Sequence, residues 1–371
     1  MSGVISRYPT PSSWLGKGKV RESALCQELG VGYRLITPDI LPPGNRLDWE
    51  PPAVGEWLDL LSDENNYPVL LHCKAGLHRT GRLTAIYRME HNGWSQGEAL
   101  RDPDDPTVRP FGGCTALMLM MKAGVFQPAK LVSLRKVEPK YSSIAVEGGG
   151  LRIGALATLA SLERSDEVKK HLPLVSRTLL TLSNIRVRNV ATVGGALAHG
   201  DPHMDLPPVL MALGATVTIA GPKGERTSSL EDMLTGYYET SLGKDELITS
   251  VLVPSQGKKR GSYMKVTTGS ADDWPALGVA AVLDAEGSAV KSANIVVSAA
   301  TTKATRIAGA EALLKGKTID DKVLSDAAEA TLEECEILPD VRGSVPYKRE
   351  LVRVYLKRAV KQALDGKTGA H

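Results

Sequence analysis

Two stretches of this sequence carry residues whose types and spacing could do chemistry. The first is His72-Cys73-Lys74-Ala75-Gly76-Leu77-His78-Arg79-Thr80-Gly81. A cysteine opening a loop whose amides turn inward, at a helix N-terminus, has its thiolate stabilised and becomes a nucleophile. The same amides cradle a phosphate dianion. Arg79 can swing its planar fork back over the loop and clamp two phosphate oxygens, and Thr80 can donate a hydrogen bond to the thiolate. The second stretch runs from Asn189 to Asp205 and is built mostly of small residues. Gly194 and Gly195 let a backbone come close to something bulky, Thr192 offers a hydroxyl, and Asp205 supplies a fixed acceptor before the apolar run Leu206 to Leu213. That is the chemistry of a wall against which a flat cofactor lies; spacing alone leaves a plain tight turn open.

Each stretch needs elements to hold it. Pro68 to Leu71 reads as a buried strand leading into His72, and Leu83 to Met89 as an apolar-periodic helix after Gly81, the strand, loop and helix order a nucleophile of this kind requires. Upstream, Val54, Trp57, Leu58 and Leu61 fall at helical spacing and predict a helix over Pro52 to Leu61. The first fifty or so residues are rich in Pro, Gly and Ser and offer only a helix near Glu22 to Leu29 and a strand, Tyr33 to Thr37. Downstream, Gly112-Gly113-Cys114-Thr115-Ala116-Leu117 opens a Met-rich helical run to Lys122. A Gly-Gly turn there can bind a pyrophosphate through backbone amides, while Met118, Met120 and Met121 read equally as core filler. The strand Leu131 to Leu134, a strand over Leu151 to Ala155 closing on Gly154, and helices Thr158 to Glu163 and Leu172 to Leu182 lead to the second stretch. Beyond it, a strand (Ala289 to Ser298) and helices (Ala308 to Leu314, Val323 to Cys335, Glu350 to Leu364) predict an α+β domain. His171, His199 and His203 read as surface or turn residues; Arg342, Arg349 and Arg353 read as a solvated face or a docking face.

Composition bounds the rest. A chain of 371 residues is long enough for two or three domains. Its 42% hydrophobic and 23% charged content is that of an ordinary water-soluble protein, and a net charge of +3 from scattered basic residues gives no footprint for nucleic acid. Cys26, Cys73, Cys114 and Cys335 lie far apart, without ligand spacing, which argues against a disulfide framework and against an iron-sulfur or zinc site. No apolar run of signal-peptide or membrane-span length occurs, so the expected location is cytoplasmic.

From Gly32 to Leu100 the chain resembles the tyrosine and dual-specificity phosphatases, on its Cys-x5-Arg-Thr loop and the preceding Asn66-Tyr67-Pro68-Val69-Leu70-Leu71. The resemblance implies an N-terminal α/β module using Cys73, Arg79 and Thr80 on a phosphorylated substrate, with a general acid on an upstream loop: Asp39 first, Asp48 second. After Leu100 the pattern stops at Asp102-Pro103-Asp104-Asp105-Pro106, short of that family's further helices.

A different series begins at Gly112. Gly112-Gly113-Cys114-Thr115, Leu151-Arg152-Ile153-Gly154-Ala155, Asn189-Val190-Ala191-Thr192-Val193-Gly194-Gly195, Asp205-Leu206-Pro207 and Gly236-Tyr237-Tyr238-Glu239-Thr240 occur in that order. Glu246-Leu247-Ile248, Val253-Pro254, Tyr263-Met264-Lys265, Asp340-Val341-Arg342-Gly343-Ser344 and Tyr347-Lys348-Arg349 follow. In order and spacing the series resembles the FAD-binding subunits of molybdenum hydroxylases, such as the medium subunit of carbon monoxide dehydrogenase and the flavin part of xanthine dehydrogenase. The resemblance implies FAD as cofactor, with its pyrophosphate at Gly112, Gly113, Cys114, Thr115, Ala116 and Leu117. It implies a second loop at Thr192, Gly194 and Gly195, an acceptor at Asp205, and Ile248 and Lys265 along the isoalloxazine. Partners follow from it too: an iron-sulfur subunit and a molybdenum-cofactor subunit, with electrons passed on to NAD or another acceptor. Three positions depart from the family: Phe111 replaces its usual Ala, Cys114 an often polar residue, and Ala196 an Asn.

The expected architecture is therefore an α+β multidomain protein. Residues 1–104 form the phosphatase-like module, incomplete at its C-terminal end; 105–257 form an FAD-binding domain, incomplete at its N-terminal end; 258–371 form the C-terminal domain. The two resemblances meet within Glu98 to Asp105. The expected function is FAD-dependent electron transfer within a molybdenum hydroxylase complex. The alternatives are a Cys73- and Arg79-dependent phosphatase and an inactive fusion of the two.

Overall fold

The computed structural model describes residues 3–6, 32–35, 52–62, 69–71, 108–124, 126, 128 and 130–366. They fall into two compact units, residues 1–110 with 126–132, and residues 111–125 with 133–371.

In the first unit β1 (Gly3–Ser6) is the middle strand of a parallel sheet, flanked by β2 (Gly32–Leu35) and β3 (Val69–Leu71). Nothing in the Pro-, Gly- and Ser-rich start of the chain marks β1 as a strand. Between β2 and β3 in sequence, α1 (Pro52–Ser62) buries Trp57 and Leu61, one helical turn apart. Strands β4 (Val108–Phe111) and β5 (Lys130–Ser133) form a two-stranded sheet. The predicted helices Glu22 to Leu29 and Leu83 to Met89 lie outside the described residues.

The second unit begins with α2 (Thr115–Lys122), none of whose residues is buried; Met118 and Leu119 are exposed, so the methionine run is not core filler. Strands β6 (Ile144–Glu147) and β7 (Gly150–Gly154) pair antiparallel. Four short helices follow: α3 (Leu159–Arg164), α4 (Asp166–His171), α5 (Pro173–Thr181) and α6 (Ile185–Arg188). Their starts are legible in the sequence. Thr158, Ser165 and Asn184 cap α3, α4 and α6 by accepting from the amides of Ser161, Val168 and Val187, and Pro173 opens α5. Next come α7 (Val193–Ala198) and α8 (Leu206–Ala212). Every residue of α8 is buried, which marks a helix packed on all sides.

Two antiparallel sheets complete this unit. β8 (Thr216–Gly221), β9 (Gly224–Ser229) and β12 (Leu247–Val253) join β6 and β7 in the order β6-β7-β12-β8-β9. Between β9 and β12 lie a short helix, α9 (Leu230–Met233), and a hairpin of β10 (Leu234–Gly236) and β11 (Glu239–Thr240). The second sheet runs β13 (Arg260–Val266), β14 (Leu277–Glu286), β15 (Ala289–Ser298), β16 (Thr305–Arg306) and is followed by α10 (Ala308–Leu314), α11 (Asp321–Glu334) and α12 (Val345–Asp365). Alternation along β14 sends Ala280 and Val282 into one core, with α5, α7 and α8, and Val279, Ala281 and Leu283 into another, with α10, α11 and α12. Each fully buried Val or Leu contributes roughly 1.5–3 kcal/mol. Among the described residues no helix is long and apolar enough to cross a membrane.

Candidate functional site

The first glycine loop sits at the head of α2. Cys114, the residue before the helix, holds a left-handed conformation (φ 62°, ψ 12°) that L-residues other than Gly rarely adopt, and its side chain does not cap the helix. Burial pushes the Cys114 thiol up, against the pull of Arg135. Among the described residues no carbonyl or side chain accepts from the first-turn amides of Thr115, Ala116 and Leu117. Those N–H groups are free to meet an anion off the helix end.

The second loop has the same glycine pair and the opposite backbone accounting. Thr192 caps α7, its hydroxyl oxygen accepting from Gly195 N at 3.2 Å. Val193 N donates to Ala157 O (3.0 Å), Gly194 N to Ala155 O (2.7 Å) and Ala196 N to Thr192 O (2.9 Å). The amides are committed to the fold, and of the two glycines Gly194 is buried while Gly195 alone is exposed.

The two loops touch. A Cβ on Gly113 would stand 2.0 Å from the carbonyl oxygen of Val190, and one on Gly112 would stand 2.7 Å from Thr192 Oγ1. A Cβ on Gly194 would stand 2.7 Å from that of Ala155. Only glycine permits this approach at 113, where the obstacle is backbone. The structure thus brings Gly112 against Thr192 and Gly113 against the Val190–Ala191 backbone, and the Thr192 hydroxyl in turn holds the Gly195 amide.

Asp205, the residue before α8, is buried, and its carboxylate has two partners. Tyr263 donates from its hydroxyl to Oδ1 at 2.7 Å, and Lys265 from Nζ to Oδ2 at 2.9 Å; Lys265 also donates to Thr181 O at 2.8 Å. Burial pushes the Asp205 carboxyl up, opposed by the charge and hydrogen bond of Lys265 and by the Tyr263 hydroxyl. The Tyr263 phenol is pushed well up by burial and by Asp205. Alternation along β13 points Tyr263 and Lys265 to the same side, which is why both reach Asp205. Ile248, on β12, pairs with Ile219 of β8 and packs on the core beneath that sheet. Cys73, Arg79, Thr80 and Asp39 lie outside the described residues.

A further polar group escaped the sequence reading. His203, expected as a surface or turn residue, lies in a turn but is buried, with Nδ1 3.0 Å from Asp201 Oδ1 and Nε2 3.1 Å from Asp340 Oδ2. Asp340 in turn accepts from the fully buried Lys348 at 3.0 Å. Asp201 is held below the usual carboxylate range: burial, which raises it, is outweighed by the hydrogen bonds from the His203 ring and amide. The network ties the turn after α7 to the turn before α12. Tyr238 locks the same turn from the other side, its amide donating to Gly200 O at 3.1 Å. The arginines read as a solvated or docking face are engaged within the chain: Arg342 with Asp340 and Trp274, Arg349 with Leu332 O, Arg353 with Glu329 and Glu350. The signal for His203 is its place between Asp201 and Asp205, in a segment too short to leave the core.

Known proteins resemble this chain in sequence and in fold. Residues 96–256 match the FAD binding domain in molybdopterin dehydrogenase, residues 262–363 the CO dehydrogenase flavoprotein C-terminal domain, and residues 45–102 the tyrosine phosphatase family. The nicotine 6-hydroxylase medium subunit of Paenarthrobacter nicotinovorans is 31% identical over 70% of this chain and 90% of its own length. The carbon monoxide dehydrogenase medium chain of Hydrogenophaga pseudoflava is 30% identical over 68% and 88%. Among solved structures, carbon monoxide dehydrogenase from H. pseudoflava superposes with a TM-score of 0.68 at 30% identity, covering 70% of this chain and 91% of that one. Quinoline 2-oxidoreductase from Pseudomonas putida 86 gives 0.68 at 29%, covering 73% and 94%.

Proposed function

This chain belongs to the family of FAD-binding medium subunits of molybdenum hydroxylases, of the carbon monoxide dehydrogenase type, and we propose that it relays electrons from a partner's iron-sulfur clusters to an acceptor through FAD held between its two glycine loops. The observation that carries the reading is the pairing of unlike loops: uncommitted amides at the head of α2, with Gly112 and Gly113 set close against Thr192 and the Val190–Ala191 backbone that lead into α7.

The residues fit the cofactor. Thr115, Ala116 and Leu117 present N–H groups to a pyrophosphate, and the Thr115 hydroxyl adds a donor. Gly112 and Gly113 keep that turn close to the wall; Thr192, Gly194 and Gly195 form the wall. Asp205 and Lys265, each neutralising the other, set a polar edge beyond it. FAD bound there supplies a carrier able to take two electrons and release them singly or together. The fully engaged amides of α7 cost no reorganisation when a ligand arrives, because they do not move to meet it. The relatives are a medium subunit and a medium chain, and the iron-sulfur and molybdenum-cofactor subunits that the sequence resemblance implies are the proposed partners.

Purified full-length protein reconstituted with FAD is expected to show the visible blue absorbance band of a flavoprotein and to release FAD on denaturation. A colourless protein that takes up no FAD would sink the proposal.

Residues 45–102 match the tyrosine phosphatase family, and the second reading we propose is a phosphatase activity at Cys73 and Arg79. Hydrolysis of an aryl phosphate, abolished by Cys73→Ser, is its expected signature; turnover unchanged by that substitution would remove it.

A further inference from the structure

Between α5 and β13 lies a cleft of about 270 Å³, lined among others by Arg177, Thr178, Thr181, Lys265 and Thr267. Its lining contains two cations and no carboxylate. The cations differ. Lys265 is neutralised from behind by Asp205, at 2.9 Å. Arg177 donates one N–H to the carbonyl oxygen of Gly261 at 3.0 Å, and among the described residues it makes no ion pair. Burial alone pushes its guanidinium down, with no acid opposing the shift. Among the described residues one bond, to Gly261 O, engages the Arg177 guanidinium, so its remaining donors are open to water or to an anionic partner in the cleft.

Neighbouring hydroxyls do not supply that partner. Thr178 donates to Leu174 O (2.9 Å) and Thr181 to Thr178 O (3.3 Å), both within α5. The cleft has room for a small anion and a few waters, at about 30 Å³ each. We propose that this cleft binds a small oxyanion, phosphate or carboxylate, two of whose oxygens are taken by the planar fork of Arg177. Both anions present the paired oxygens that a guanidinium grips in parallel. The inference stands on the cleft and on Arg177; Lys265 also borders the proposed flavin site, and the FAD content measured below separates the two.

Isothermal titration of the full chain in phosphate-free, low-chloride buffer tests it, with inorganic phosphate in one arm and acetate in the other. Saturable one-to-one heat in at least one arm is expected, and the tighter arm identifies the source. Arg177→Gln should weaken that binding about tenfold or more, the order lost with one charge-assisted bidentate contact. Arg177→Lys, which keeps the charge and loses the fork, should fall between. FAD content should stay at the level of the unmodified chain in both variants. No saturable heat in either arm, or equal binding by the Lys variant and the unmodified chain, would overturn the proposal. So would loss of FAD in a folded Arg177→Gln protein, because Arg177 would then serve the flavin. Should Arg177→Gln fail to fold, the unmodified chain and Arg177→Lys decide the matter alone.

Discussion

The paired glycines at 112–113 and those at 194–195 each open a helix, yet the two helices are embedded to opposite degrees. α2 buries none of its residues, whereas α7 buries Val193, Gly194 and Leu197 and is followed by the wholly buried α8. The same short motif therefore does two jobs. Where the helix is exposed, its end groups remain for a ligand; where the helix is part of the core, its end groups are consumed in holding the core together. A cofactor site made from one of each has a donor side and a fixed side. Changes on the fixed side should register as lost stability, and changes on the donor side as lost cofactor.

The sharpest way to break that contrast is Asp205→Ala, which strands Lys265 in the interior without a counter-ion. A loss of about 3–5 kcal/mol is expected from the cost of an uncompensated buried charge, measured by urea denaturation. A loss near zero would mean that the fixed side does not depend on its buried pair. Gly113→Val comes next, because its Cβ would meet the Val190 carbonyl at 2.0 Å. Overpacking of this kind costs about 1–3 kcal/mol, and separation of the loops should cut the FAD bound per chain at saturation. Thr192→Ala removes the α7 cap and should cost about 1 kcal/mol, read from the thermal midpoint, and FAD retention tells whether the hydroxyl also serves the ligand. Leu119→Ser, on the exposed face of α2, should stay within about 0.5 kcal/mol and leave FAD content unchanged.

The smallest effect lies outside both loops, at Glu246. Hydrogen bonds from Arg226 and from the Gly243 amide hold its carboxyl down at about 2, below the ordinary 4.5. A depressed acid stabilises the fold fully above its unfolded value, and that contribution goes as pH falls through its folded one. The Gly243 amide resonance should accordingly titrate near the lower value in NMR, and Glu246→Gln should abolish the transition.

Sequence made the local elements legible and left the long-range ones dark. α10 runs over the residues its apolar spacing predicts, β15 likewise, and α5 differs by one residue at each end. These are segments whose own periodicity decides their form. The glycine loops were legible as candidates because close approach demands glycine. What could not be read is which amides remain free, since that depends on Ala155 and Ala157, more than thirty residues before α7, accepting from its first turn. Nor does the sequence show that His203 meets Asp340 across 137 positions, or that Lys348 is buried to reach that carboxylate and Ala299 O. A charged residue in an amphipathic helix reads as solvated unless its partner is known. β1 escaped for a related reason: four residues have too little pattern, and its pairing comes from strands far along the chain.

The two-sided burial of β14 has a consequence for how this unit comes apart. Its alternate residues line different cores, so one core cannot open without stripping the floor from the other. A single sheet serving as a shared floor couples what would otherwise be separable melting events. The amides of Val279 to Val282 should then be the slowest in the unit to exchange with deuterium, at rates set by global unfolding. Destabilisation felt at Asp205 should reach α11 and α12 undiminished.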